Sequence, residues 1–305
     1  MMLRRWNLVT IGLLCWSSAV VESAETPAPA RTLKMAAVQM RSDADMEANL
    51  NKIVESIARC AKDGVRVVAF PEFAVSGYTR ESVKRTAEEL AAAEQRIGEA
   101  CRANDVYAVV GMPSREDGRL FNSAVVFAPD GRVIERYHKI QLSDNFTDAG
   151  DHMSVFKIDG VMCTIIICHD ERYPELVRLP VMVGAQVVFY ISAESGIISE
   201  SKIDPYRAQI QARAMENTVW VVHANPPANP DVAPNVPEWA GSHGHSRIIA
   251  PDGQIVQEAS IFQEETVTST LDIGRANRGL ARRSLACPVL GSWWREGMKL
   301  VRVIE

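Results

Sequence analysis

Cysteine is scarce. The 305-residue chain has 6, with no C-x-x-C pair and no Cys/His cluster at zinc-finger spacing, which argues against a structural zinc site. Basic charge is not in excess either. Lys+Arg number 33 against Asp+Glu 38, a net charge of −5, which argues against a nucleic-acid binder, since that needs a basic stripe. With 18 glycines and 15 prolines there is no room for long low-complexity linkers. Hydrophobic residues at 47% and charged ones at 23% exclude a disordered chain, a collagen-like chain and a coiled-coil rod. Length alone suggests about two domains, although single α/β domains routinely reach ~250 residues.

Long apolar runs are also missing. After Arg4 and Arg5, Trp6 to Val21 carries no charge. As a helix at ~1.5 Å per residue it reaches roughly 24 Å, short of the ~30 Å of bilayer hydrocarbon. A positive start, a short apolar stretch and then small residues form the layout of a secretory signal peptide. The expectation is therefore a leader over 1–24, cut after Ala19 or Ser23, then a Pro/Ala linker over 25–32 and an exported protein. A true start at Met35 would instead leave it cytoplasmic. No membrane contact is expected once the leader is gone. Cys15 lies in the leader, so Cys60, Cys101, Cys163, Cys168 and Cys287 remain, an odd number that leaves at least one thiol free unless chains cross-link.

From residue 33 strands alternate with helices. Segments 33–39, 65–70 and 106–111 are short apolar strands, separated by helical stretches over 46–61 and 81–103. Residues 121–139 hold two strands joined by a Pro-Asp-Gly turn, a hairpin signal. The pattern then repeats: strands at 161–168, 186–192 and 219–224, helices at 173–184 and 205–217, a second Pro-Asp-Gly hairpin at 244–259, and a last strand at 265–273. The two halves echo each other. The expected fold is α/β, a four-layer α-β-β-α sandwich of two mixed sheets with helices outside, spanning 33–273. A tail, 274–305, has no clear period, and its Trp293 and Trp294 read as packing residues.

Three reactive side chains end three apolar strands: Glu72, Lys139 and Cys168. Ligands in open α/β sheets bind beyond the carboxyl ends of strands, so the three would converge on one crevice. A thiol is a weak nucleophile until it loses its proton, and a carboxylate can take that proton. An ammonium can lower the thiol's pKa and hold an oxyanion. Taken singly, Cys168 reads as a buried inert thiol, Glu72 as a helix-start acid and Lys139 as a solvated cation. Their joint placement changes that.

The segments FPEFAVSGYT (70–79), RYHKIQL (136–142) and ICHDERYPE (167–175) resemble the three signature segments of the nitrilase superfamily, the carbon–nitrogen hydrolases. RAQIQARAMENTVWVV (207–222) and GHSRIIAPDGQIV (244–256) extend the resemblance. It implies Glu72 as general base and acid, Cys168 as nucleophile, Lys139 as the cation on the tetrahedral intermediate, and the His169 backbone N–H as second oxyanion donor. Many amide-cleaving members carry a further glutamate between lysine and cysteine. Here Asp144 is the positional match, one methylene shorter. Tyr78, Ala193 and Glu194 fall where substrate contacts are expected, Glu194 to read a positive group. Asp170, Arg172 and Glu175 are expected to form an ion-pair brace behind the nucleophile. His243 and His245 form a His-x-His pair with too few companions for a metal site.

The resemblance implies hydrolysis of a small linear amide or N-carbamoyl compound, with ammonia or an amine released. Nitrile hydrolysis, acyl transfer and an idle binding pocket stay open as alternatives. Nitrilases proper tend to carry Trp-Glu after the cysteine, where this chain has His169-Asp170. No cofactor and no metal are implied, since thiol, carboxylate and ammonium complete the chemistry. The implied partners are a small-molecule amide and further copies of the chain in a homodimer or larger homo-oligomer.

Overall fold

The computed structural model describes residues 31–194, 203–229 and 242–304. The expected leader and all but the last two residues of the linker lie outside them.

The first half runs β1 (Thr32–Gln39), α1 (Met46–Lys62), β2 (Val67–Ala69), α2 (Ala87–Asn104), β3 (Tyr107–Glu116), β4 (Arg119–Phe127) and β5 (Val133–His138). In α1 the Asp45 carboxylate accepts from the Ala48 N–H as N-cap, and Leu50, Ile53, Ile57 and Cys60 line one buried face. The helix expected over 81–103 is interrupted: a 3-10 turn covers Arg80–Lys84 and α2 begins after Thr86. The Thr86 hydroxyl accepts from Glu89 N at 3.2 Å while Glu89 Oε2 accepts from Thr86 N at 2.7 Å. That reciprocal box fixes the helix start.

The second half runs β6 (Met153–Ile158), β7 (Val161–Ile167), α3 (Glu175–Val183), β8 (Val187–Ile191), α4 (Ile203–Asn217), β9 (Trp220–Ala224), β10 (Arg247–Ile249), β11 (Ile255–Glu258) and β12 (Glu265–Asp272). Then come α5 (Gly279–Ser284), α6 (Gly291–Met298) and β13 (Val301–Val303). Sequence periodicity did not reveal β6 or β13. β13 pairs parallel to β6, so the chain end completes the edge of a sheet.

The strands form two sheets, ordered β12-β1-β2-β3-β4-β5 and β11-β10-β9-β8-β7-β6-β13. Strands β1 to β5 correspond in order to β7 to β11, and β12 lies antiparallel to β1 as β6 does to β7. The facing surfaces share one core, with Met35, Val67, Val109 and Tyr137 from the first sheet against Phe156, Ile165, Phe189 and Val222 from the second. Helices α1 and α2 cover the outer face of the first sheet, and α3 and α4 that of the second. This is the four-layer sandwich expected from the alternation of elements. Among the described residues no helix is long and apolar enough to cross a membrane.

Candidate active site

Strand β2 runs parallel to β1 and β3, and two antiparallel steps through β4 bring β5 back to the same direction. The carboxyl ends of β2 and β5 therefore share one edge, where Glu72 and Lys139 stand. Glu72 is 1% exposed and Lys139 is fully buried. Lys139 Nζ donates to Glu72 Oε1 at 2.8 Å and to Ser143 Oγ at 3.1 Å. Asn122 Nδ2 also donates to Oε1, at 2.6 Å, and the Ala193 N–H donates to Oε2 at 2.7 Å. Burial works against the Lys139 ammonium, but Glu72, Cys168 and Tyr78 together hold it above the ordinary lysine range. The Glu72 segment reaches this position because Gly111 has no side chain: a Cβ there would lie 2.2 Å from the Pro71 carbonyl oxygen and 2.6 Å from Glu72 Cα.

Cys168 comes from the other sheet, immediately after β7, and opens a 3-10 turn spanning Cys168–Arg172. Its φ of +43° is left-handed, a conformation that costs a non-glycine residue roughly 1–3 kcal/mol and persists only where neighbours enforce it. The enforcing group is Asp170. Its Oδ2 accepts from Ile167 N at 3.0 Å and from the Tyr137 hydroxyl at 2.8 Å, and its Oδ1 accepts from Gln141 N at 2.8 Å. The cysteine turn is thus stitched to the first sheet. The expected ion-pair brace of Asp170, Arg172 and Glu175 is replaced by these hydrogen bonds. Arg172 instead lies over the Tyr206 ring and donates to its hydroxyl at 3.1 Å. Burial pushes the Asp170 carboxyl up to about 6 against its hydrogen bonds.

Burial and the Glu72 carboxylate push the Cys168 thiol well above its ordinary range, with Lys139 pulling it back. The thiol therefore rests protonated and needs a base. Burial raises the remote thiols too, Cys60 to about 11 and Cys101 to about 12. What sets Cys168 apart is its carboxylate and ammonium neighbours. His169 stands in the first turn of the 3-10 segment, where backbone N–H groups lack an intrahelical acceptor.

A cavity of about 710 Å³ opens over the thiol, and Tyr78, Asp144, Cys168, His169, Ala193 and Glu194 all line it. Asp144 organises its loop: Oδ1 accepts from Phe146 N, Thr147 N and the Thr147 hydroxyl at 2.8–3.1 Å, and Oδ2 accepts from the Tyr78 hydroxyl at 3.2 Å. The Ala193 backbone holds Glu72. Glu194 is 2% exposed; the Tyr190 hydroxyl donates to its Oε1 at 2.5 Å, and His243 Nε2 lies 2.6 Å from its Oε2. Glu194 already faces a protein group on each oxygen. His243 stacks on Tyr206 and leans on His245. Among the described residues no group of three or more His, Cys, Asp or Glu is arranged to hold a metal ion.

Sequence reasoning missed Asn122, Ser143 and Glu171. Asn122 carried the clearest signal, a polar residue inside the apolar run of β4, where it is fully buried.

A family model described as carbon-nitrogen hydrolase matches residues 34–278. Omega-amidase NIT2 of Xenopus tropicalis is 30% identical over 235 residues, covering 72% of this chain and 81% of that protein. Among solved structures, a mutant of the amidase from Nesterenkonia AN1 superposes with a TM-score of 0.73 at 23% identity, covering 86% of this chain and 97% of that one. Another structure of that amidase shows covalent addition of the acetamide moiety of fluoroacetamide at its active site cysteine. It has a TM-score of 0.70 at 23% identity and covers 80% and 92% of the two chains.

Proposed function

This chain belongs to the carbon-nitrogen hydrolase family, in the nitrilase superfamily, and hydrolyses carbon–nitrogen bonds other than peptide bonds; on that premise we propose that it cleaves a small linear amide or N-carbamoyl compound through a Cys168 thioester. Glu72 Oε1 already takes two donors and Oε2 only one. A lone pair on Oε2 stays open for the thiol proton. As the proton moves to Glu72, Cys168 Sγ attacks the carbonyl carbon. The Lys139 ammonium and the His169 N–H hold the oxyanion, each supplying about 3 kcal/mol. Glu72 then gives its proton to the departing amine. The same carboxylate activates water, which releases the acid and restores the thiol. Positioned proton transfer of this kind contributes about 10²–10⁴ in rate.

The observation that carries this reading is the buried Glu72–Lys139 pair beside a thiol held in a left-handed turn at the floor of a cavity. The adduct on the cysteine of the Nesterenkonia amidase supports the covalent step by analogy. The test combines an ammonia-release screen over amides, N-carbamoyl compounds and nitriles with mass spectrometry of the intact protein. An acyl mass on Cys168 during turnover, absent in Cys168→Ala, is the expected result. Turnover by Cys168→Ala would overturn it.

A further inference from the structure

Among the buried ionisable groups at this site, Glu72, Lys139 and Glu194 each face an ionisable partner at close range. Glu72 faces Lys139 at 2.8 Å. Glu194 faces His243 at 2.6 Å and takes the Tyr190 hydroxyl. Glu171 has the Tyr190 hydroxyl beside it, but Arg172 and Arg213 act on it only from beyond ion-pair distance. It is 1% exposed, it lines the cavity, and its Oε2 has no hydrogen-bond partner among the described residues. Arg213, a buried neighbour, donates its Nε to the Glu171 backbone carbonyl at 2.9 Å and its Nη1 to Glu216 at 3.0 Å, so neither bond reaches the Glu171 carboxyl. The two arginines that line the cavity, Arg80 and Arg172, are exposed, and Arg172 is seated on Tyr206.

Position adds to the case. Cys168 and Glu171 are residues i and i+3 of one 3-10 turn. With 3.0 residues per turn and ~2.0 Å rise, their side chains eclipse about 6 Å apart along the axis. Burial and the neighbouring Glu194 hold the Glu171 carboxyl well above the ordinary carboxylate range, so it rests protonated, and an Oε2 left without a hydrogen bond costs free energy unless something arrives to satisfy it. A group held about one turn from the nucleophile is well placed to read the far end of a short substrate.

We propose that Glu171 sets the specificity of the cavity, and that the amide cleaved carries a protonated amine a few carbons from its scissile carbonyl. This rests on the thiol-amidase reading above and narrows its substrate class. The substrate ammonium brings a cation within ion-pair distance, so the Glu171 carboxyl releases its proton to solvent on binding and Oε2, which has no hydrogen-bond partner among the described residues, accepts from the ammonium. Tyr190, whose hydroxyl lies beside both Glu171 and Glu194, keeps the two carboxyl groups in place.

The experiment uses three amides with the same three-methylene chain, ending in an ammonium (4-aminobutanamide), a methyl (pentanamide) or a carboxylate (glutaramate). For the full protein, kcat/KM should favour the ammonium over the methyl compound by at least about 100-fold, because a site built around a hydrogen-bonding group rejects analogues lacking the donor. In Glu171→Gln that ratio should fall to within a few-fold of one. Glu171→Leu serves as a second variant should the glutamine not fold. Equal use of ammonium and methyl compounds by the wild type, preference for glutaramate, or a preference that survives in both variants would overturn the proposal. Calorimetric titration of 4-aminobutanamide into Cys168→Ala, with and without Glu171→Gln, reads recognition without turnover. Binding that depends on Glu171 while no amide is hydrolysed by the wild type would sink the thioester reading and leave this one standing. Hydrolysis with Glu171-independent binding would do the reverse.

Discussion

The two halves of the sandwich share a strand order and helix placement, yet their strand ends carry opposite kinds of chemistry. The first half delivers a matched ion pair, Glu72 with Lys139, locked by Asn122. The second delivers a neutral thiol on a left-handed turn, with a buried acid three residues on whose Oε2 has no hydrogen-bond partner among the described residues. The two halves share a scaffold and differ at a few strand-terminal positions. The half holding the charges gives up stability if one of them is lost. Loss of the Cys168 thiol, the proposed nucleophile, is expected to cost activity alone.

That contrast can be broken at several points. The largest effect is expected from Cys168→Ala. Activity should fall by about 10⁶-fold, the scale of losing a nucleophile, with the thermal midpoint nearly unchanged, because alanine keeps the Cβ that the left-handed turn already accommodates. Lys139→Met tests the other half. It should lower kcat by about 10²–10³-fold through the lost oxyanion donor, and it should also cost about 3–5 kcal/mol in denaturant unfolding, because Glu72 is left buried without its cation. Equal stability of the two variants would erase the distinction drawn above. Gly111→Ala should cost about 1–3 kcal/mol and reduce activity together with stability, since the added methyl meets the Pro71–Glu72 backbone.

The smallest effect is a pH slope. Burial lowers His223 to about 3 and His245 to about 4. Both stay neutral in the native state while the unfolded chain takes up protons near pH 6.5. Their contribution is complete above 6.5 and drains away as pH falls toward 4. Asp170, raised to about 6 by burial, has the opposite sign. Its carboxyl holds a proton in the native state between about pH 4 and 6, and that contribution is lost as pH rises through the window. Urea unfolding of wild type and His223→Gln at pH 7 and 4.5 isolates the histidine, because the Asp170 contribution is common to both. A steeper acid loss in wild type is expected; parallel curves would rule it out.

Most of the layering was legible in the sequence because strands covered on both faces are continuous apolar runs, such as VVA in β2 and the VMCTIII of β7. The Pro-Asp-Gly turns marked both hairpins. The break before α2 was also written in the chain as Thr86 and Glu89, but an Ala-rich stretch masks a capping box when only composition is weighed. Strand β13 escaped because VRV is short and owes its state to pairing with β6, and β6 because the polar Ser154 and Lys157 break up its apolar run. The three reactive side chains were visible as polar residues ending apolar strands. The role of Asp170 was not, since its partners Tyr137 and Gln141 come from the opposite half, and no local pattern encodes a tie between sheets. Glu171 was hidden for a similar reason. In the string CHDER it looks like one more surface charge, and only the folded chain reveals it as buried at the cavity.

The pairing of β1 with β12, in register from Thr32↔Asp272 to Gln39↔Glu265, has a consequence for how the molecule is made. During synthesis the first half emerges with the long edge of β1 bare, and its cover arrives only after nearly the whole second half has left the ribosome. Until then the nascent chain carries an open template for strand addition. Closing so long a loop is also entropically costly, which places this step late in folding. The two halves, alike as they are, cannot mature one after the other. The clasp that joins them forms last, and the Glu72–Lys139 pair and the Cys168 turn become one site only when both halves have been delivered.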